Sequence, residues 1–283
     1  MSLNLLSLNV NGIIDSKKRN TIFHWLKEQN ADIILLQETH CNSKLEEEAW
    51  SEEWGGNAIW SLGTNFSKGV AVLFKPNLDL NYREIEIDQD GRFIILHCEI
   101  EDLNLVLVNI YSPNHALERE VFFKHLLTKI KQLKCENCEL VIGGDYNCTL
   151  NAKLDRRHER SPDKICADRG QKDLMDLIIN LELKEVWRRR YPGLSRYTYF
   201  RKNCRSASRI DFWLISTSLD PYVQKCGIKQ AVRSDHTSVN LILKTSEVER
   251  GPGIWKMNKK CLESLEFQNL FETFLGNLEK RVQ

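Results

Sequence analysis

The 283-residue chain has no excess of charge of either sign: 40 Lys and Arg stand against 39 Asp and Glu. Net charge therefore draws it onto neither nucleic acid nor a membrane, and any site for a polyanion must be local. Long hydrophobic runs are also missing. The longest, such as residues 33–36 and 105–108, fall far short of the roughly 20 residues that a membrane span needs. The opening residues MSLN carry no positive n-region, so secretion is not indicated. Proline is scarce at 6 residues, glycine numbers 14, and 42% of the chain is hydrophobic, which excludes disorder and fibrous repeats. The nine cysteines are an odd number in a chain with ample core. They read as reduced thiols of an intracellular protein. Cys135 and Cys138 have the spacing of half a zinc site, but no second CxxC or paired His completes it, so ordinary thiols are expected there too.

Periodicity organises what is present. Residues 3–10 read as a strand, 17–29 as a helix with Ile22, Trp25 and Leu26 on one face, and 32–37 as a second strand. A similar unit recurs as a strand at 103–111, a helix from about 117 to 134 and a strand at 139–143. Between the two lie β-rich segments at 58–61, 69–74, 82–88 and 93–100; after them come a helix near 170–180 and strands at 209–216, 223–232 and 237–244. Helices inserted among so many hydrophobic strands predict an α/β fold, a sandwich of two sheets packed face to face and flanked by helices. The polar stretch 245–253, TSEVERGPG, marks a boundary between a domain at 1–245 and a linker with the start of a following region at 246–283.

Polar residues gather where strands end. Asn9 and Asn11 close the first strand, Gln37-Glu38-Thr39 the second, Asn109 and Tyr111 another, and Asp145-Tyr146-Asn147 the strand after the long helix. Ligands of open α/β sheets sit beyond such ends. Ser208-Arg209-Ile210-Asp211 and Ser234-Asp235-His236 begin strands, and an antiparallel strand brings its start to the same rim. Carboxylates and amides with one His and no cysteine cluster suit Mg²⁺ rather than zinc. A cation, an Asp base and a His donor are what phosphodiester hydrolysis requires.

The ordered set LNVNG (8–12), QETH (37–40), NIYSPN (109–114), GGDYN (143–147), SRID (208–211) and SDH (234–236) resembles the endonuclease/exonuclease/phosphatase superfamily. Within it the chain is most similar to the apurinic/apyrimidinic-type endonuclease domain of LINE (non-LTR) retrotransposons, over residues 3–244. The resemblance implies a four-layer α/β sandwich. It implies Glu38 as the principal metal ligand, with Asn11 and Asp235 beside an Mg²⁺ ion that Mn²⁺ can replace. Asp145 would activate the attacking water, Asn147 hold the scissile phosphate, and Asn9 stand near the metal. His236, fixed by Asp211, would donate to the phosphoryl oxygen, and Tyr111 would contact the phosphate or leaving oxygen. Thr198 and Ser208 match polar positions at the margin. Abasic-site repair relatives carry Asp in place of Asn11 and a pocket-lining Trp in place of Ser208, so the abasic pocket is expected to be absent and intact duplex DNA to be the substrate.

Residues 184–209 hold nine Lys and Arg against Glu185 alone, a candidate DNA face. Residues 197–208 read as a hairpin whose Arg201, Lys202 and Arg205 would enter a narrow minor groove, with Arg209 beside them. The resemblance places the domain ahead of the reverse transcriptase region of one polyprotein, acting as a monomeric domain in the nucleus, where its nick leaves a 3′-hydroxyl that primes reverse transcription. Two other readings remain at this point. One is an abasic-site repair endonuclease, or a phosphoesterase acting on lipid or inositol phosphates. The other is a catalytically dead DNA-docking module, which would need a broken motif.

Overall fold

In the computed structural model, described for residues 2–245 with positions 77, 79, 102, 134, 136, 159–167 and 202–205 excepted, two six-stranded sheets pack face to face. The tail expected beyond residue 245 lies outside the described residues. The first sheet contains β1 (Ser2–Asn9), β2 (Ile33–Gln37), β3 (Ala58–Ser61), β4 (Val70–Phe74), β14 (Val223–Gln230) and β15 (Thr237–Lys244), in the order β14-β15-β1-β2-β4-β3. The second contains β5 (Asn81–Ile87), β6 (Phe93–Ile100), β7 (Leu103–Tyr111), β8 (Glu139–Asp145), β10 (Leu183–Glu185) and β13 (Asp211–Ser216), in the order β10-β13-β8-β7-β6-β5. A small third sheet joins β9 (Arg156–His158) to the hairpin of β11 (Tyr199–Phe200) and β12 (Ser206–Ser208).

Strand alternation sorts the core into layers. On β1, Leu3 and Leu5 face the other sheet, while Leu6 and Leu8 turn outward beneath α1 (Ser16–Glu28) and α2 (Lys44–Trp54). The second sheet is covered by α3 (Ala116–Lys131) and α5 (Gln171–Asn180), whose Phe123, Leu126, Leu174 and Leu177 are buried against it. The four-layer α/β sandwich is thus observed. Helix α1 starts where the Asp15 side chain accepts from the Lys18 amide. Helix α2 was not anticipated, although Ser43 caps it, Gly55 ends it in the left-handed conformation and Trp50 and Trp54 share its buried face. Two short helices, α4 (Ala152–Asp155) and α6 (Val186–Arg190), were also missed.

The same strand-helix-strand unit occurs twice: β1 and β2 are parallel across α1, and β7 and β8 are parallel across α3. Each unit is flanked by an antiparallel strand, β15 beside β1 and β13 beside β8. That polarity brings the starts of β13 and β15 to the rim where the parallel strands end. Close contact between β8 and its neighbours explains the double glycine there. A Cβ on Gly143 would meet the Trp213 ring at 2.3 Å, and one on Gly144 the Ile110 carbonyl oxygen at 2.0 Å.

The structure corrects the cysteine reading. Cys135 and Cys138 are joined as a disulfide in the turn between α3 and β8, whereas Cys41, Cys98, Cys148 and Cys226 are free and buried. Among the described residues no helix is long and apolar enough to cross a membrane.

Candidate active site

Three parallel-strand ends turn in the same unusual way. Asn11 after β1, Glu38 after β2 and Asn147 after β8 have φ of 48°, 56° and 45°. This left-handed region is uncommon for residues other than glycine, Asn and Asp tolerating it best. Glu38 has no such tolerance, so its backbone strain is held by the surrounding structure, as is frequent at functional sites.

The amide of Asn9 occupies the centre. Its Nδ2 donates to Asp145 Oδ2 at 2.9 Å and to Glu38 Oε2 at 3.1 Å, while its Oδ1 accepts from the Asn11 backbone at 2.9 Å. Asp145 Oδ1 accepts from the Asn147 backbone N–H at 2.8 Å, and the Asn147 side chain donates to the Ser112 carbonyl at 2.9 Å. Asp145 is 1% exposed. Burial, reinforced by the charge of Asp211, pushes its carboxyl up to about 7.

His236 approaches from β15. Its Nδ1 lies 2.9 Å from Asp211 Oδ2; because an ionised carboxylate only accepts, Nδ1 carries the proton and donates it. Burial alone would lower the imidazole, but the charge and hydrogen bond of Asp211 prevail and hold it near 9. Asp211 is set by register opposite Asp145 and by Thr198, whose Oγ1 accepts from the backbone of Ile210 and Asp211 at 3.0 and 3.1 Å. Ser234 ties the two motifs together: its hydroxyl donates to the Asn9 carbonyl and accepts from the His236 N–H. Tyr111 is buried with its phenol beside Glu38 and Asp145. Burial and those charges push it far up, so it remains a proton donor.

The donor set suits a hard cation. Burial of Glu38 opposes ionisation, yet hydrogen bonds from His40 and Asn9 keep its carboxyl below the usual value. Across the rim Asn11 Nδ2 donates to Asp235 Oδ1 at 3.0 Å, leaving the other oxygen of that carboxylate open. These are oxygen donors without sulfur, the type that Mg²⁺ selects. A cleft of about 680 Å³ opens beside His236 and Asp235, lined also by Arg196, Tyr197 and Phe200.

Glu38, Asn9, Asn11, Tyr111, Asp145, Asn147, Asp211, Asp235 and His236 thus come together as the sequence suggested. The DNA-contact set does not. Thr198 is fully buried and positions Asp211. Arg209 is also fully buried: its Nε and Nη2 grip Asp155 at 2.8 and 3.2 Å, and its Nη1 reaches Glu185 at 3.1 Å. It is removed from the DNA face because two buried carboxylates require its charge. Arg188 and Arg189 pair with Asp155 and Asp220, and Arg190 donates to the Val223 carbonyl. Arg196 and Arg201 are exposed, Ser208 is half-buried, and Lys202 and Arg205 lie outside the described residues. Gln37 and Asn109, expected at the cleft, are instead buried and hydrogen-bonded to each other at 2.7 Å, bridging the two sheets. Sequence reasoning passed over Lys18, whose Nζ donates to the Asn11 carbonyl at 2.6 Å beside Asp235 and Glu38, and His40, 3.5 Å from Glu38 Oε1. His40 could have been found as the residue that ends QETH; Lys18 leaves no signal in an otherwise ordinary helix.

A carboxylate base, a carboxylate-held imidazole and an oxygen-donor cation site on one rim of a two-sheet sandwich define a hydrolase of phosphate esters. The chain belongs to the Endonuclease/Exonuclease/phosphatase family, whose pattern matches residues 2–236. A Xenopus laevis protein described as the transposon TX1 uncharacterized 149 kDa protein is 30% identical over 279 residues, covering 98% of this chain and 21% of that protein. The chain therefore spans about a fifth of that relative. An exodeoxyribonuclease of Bacillus subtilis is 28% identical over 266 residues, covering 85% of this chain and 99% of its own length. The solved endonuclease domain of TRAS1, a telomere-specific non-LTR retrotransposon, matches in fold with a TM-score of 0.63 at 16% identity, covering 86% of this chain and 99% of that one. The chain is a DNA nuclease of a family that works with a divalent metal.

Proposed function

We propose that the chain is the endonuclease domain of a non-LTR retrotransposon, nicking intact double-stranded DNA by Mg²⁺-dependent hydrolysis, with Mn²⁺ able to substitute. The observation that carries this reading is the placing of Asp145 and the Asp211-held His236 within one cluster whose ligating atoms lie within 4.8 Å. A cation at Glu38, assisted by Asp235 and Asn11, would supply charge neutralisation at the scissile phosphate. Asp145, kept near neutrality by burial, takes the proton of the attacking water. Asn9 and Asn147 fix the direction of that carboxylate. His236 donates to the phosphoryl oxygen as charge develops, and Asp211 holds its tautomer. Tyr111 faces the phosphate or the departing oxygen with its proton in place.

The likeness to a transposon protein supports a retrotransposon context, in which the nicked 3′-hydroxyl primes reverse transcription by the reverse transcriptase region of the same polyprotein, in the nucleus and with the domain monomeric. The test incubates the purified chain with supercoiled plasmid and Mg²⁺. Open circles whose nicks a DNA polymerase extends without phosphatase treatment are expected. Ends that need phosphatase, or faster cutting of an abasic duplex than an intact one, would replace this reading with repair or another phosphoesterase activity.

A further inference from the structure

Alternate residues of β6 divide between two faces. Ile94, Leu96 and Cys98 lie in the core between the sheets, whereas Phe93 and Ile95 lie beneath α3. His97 continues the second set and is 6% exposed. Cys135 and Cys138, in the turn between α3 and β8, pack against that same cluster. A ring nitrogen of His97 and the two Sγ atoms all lie within 4.8 Å of one another. The carboxylate of Glu99, on the same face of β6, lies 3.8 Å from His97 Nδ1. Imidazole and thiolate are the donors that zinc selects, and a CxxC turn delivers two of them at once. The catalytic rim offers a different set, oxygens for a hard cation.

We propose that, once its disulfide is reduced, the chain binds a zinc ion through His97, Cys135 and Cys138, with Glu99 or a water as fourth ligand. Two equivalents of a thiol reductant break the Cys135–Cys138 bond, giving two cysteine thiols and the reductant's own disulfide. The incoming Zn²⁺ then displaces both thiol protons, leaving two zinc-bound thiolates. Disulfide and zinc are alternative closures of one turn, and His97 has a part only in the second. The site lies at the end of the sheet away from catalysis: Cys138 immediately precedes β8, whose other end is Asp145, and His97 pairs with Val106, well before β7 ends at Tyr111. Its occupancy is therefore read in stability, with nicking unchanged.

The test uses the full chain, reduced with a phosphine, freed of reductant under anaerobic conditions and titrated with Co²⁺. Expected is one equivalent of cobalt with the near-ultraviolet absorption of a cobalt–thiolate bond, lost on adding Zn²⁺. Cobalt held by the oxygen donors of the catalytic rim lacks that band. Cys135→Ser/Cys138→Ser removes the band, and His97→Gln weakens binding. Zn²⁺ raises the melting temperature of the reduced parent and not of the double Ser variant. The proposal is overturned if the reduced parent shows no band, if the band survives in the double Ser variant, or if His97→Gln binds as tightly as the parent.

Discussion

Asn9 Nδ2 donates to Asp145 Oδ2 at 2.9 Å, and the remaining N–H of that amide reaches Glu38 Oε2 at 3.1 Å. One side chain thus aligns the base and the principal cation ligand. Replacing Asn9 by Ala frees both carboxylates to rotate, and replacing it by Asp sets a third negative charge between them. Single-turnover plasmid nicking should fall about 100-fold for Asn9→Ala, as when one preorganised donor is lost, and further for Asn9→Asp. Duplex affinity by fluorescence anisotropy should scarcely move. A rise in KM with unchanged kcat would place Asn9 in DNA binding instead.

The chemistry needs Asp145 without its proton and His236 with one. The first condition holds above about 7 and the second below about 9, so nicking should rise with pH through the lower value and fall through the higher one. A cation at Glu38 favours the ionised carboxylate and moves the acidic limb down, which makes the alkaline limb diagnostic. Asp211→Asn removes the charge that holds His236 up. Burial then dominates, and the alkaline limb should move to lower pH in a kcat/KM profile. A limb that stays in place would mean another group sets it.

The chemistry of the site was legible because it rests on strand ends. Hydrophobic alternation shows where β1, β2, β7 and β8 stop, and the polar residue at each stop falls on a common rim. The twofold use of the strand-helix-strand unit was visible for the same reason. Arg209 and Thr198 misled because charge and polarity do not disclose a partner. Asp155 lies 54 positions from Arg209 in sequence and holds it fully buried. Helix α2 was missed although its cap was present, because the acidic run from Glu46 to Glu53 read as a charged surface. Nothing in a single CxxC announces that β6 carries a histidine to it.

The buried position of Arg209 has a measurable consequence. Removing one partner from a buried ion pair leaves an uncompensated charge at a cost of about 3–5 kcal/mol. Arg209→Ala strands Asp155 and Glu185, and it should lower the melting temperature by on the order of 10 °C for a domain of this size. At a temperature where the variant is folded, the salt dependence of its DNA affinity should match the parent's. A reduced salt slope with unchanged stability would return Arg209 to the DNA face.

The exposed Arg201 is the described cation best placed to report on DNA. It follows β11, which is fastened to the catalytic turn: the Phe200 N–H donates to the Asp235 carbonyl at 3.0 Å, and the Tyr199 ring lies 5.0 Å from that of His236. A duplex gripped by this hairpin is therefore presented to His236 in a register that the hairpin sets. Replacing Arg201, Lys202 and Arg205 together by Ala removes phosphate contacts, each worth about one unit of the slope of log affinity against log salt. The base and imidazole stay untouched, so the rate at saturating DNA should change little while the nicks move to other positions. Sequencing of nick sites on one plasmid for parent and variant is the deciding measurement. An identical distribution would take the hairpin out of target choice and leave it as a strut for the Asp235–His236 turn.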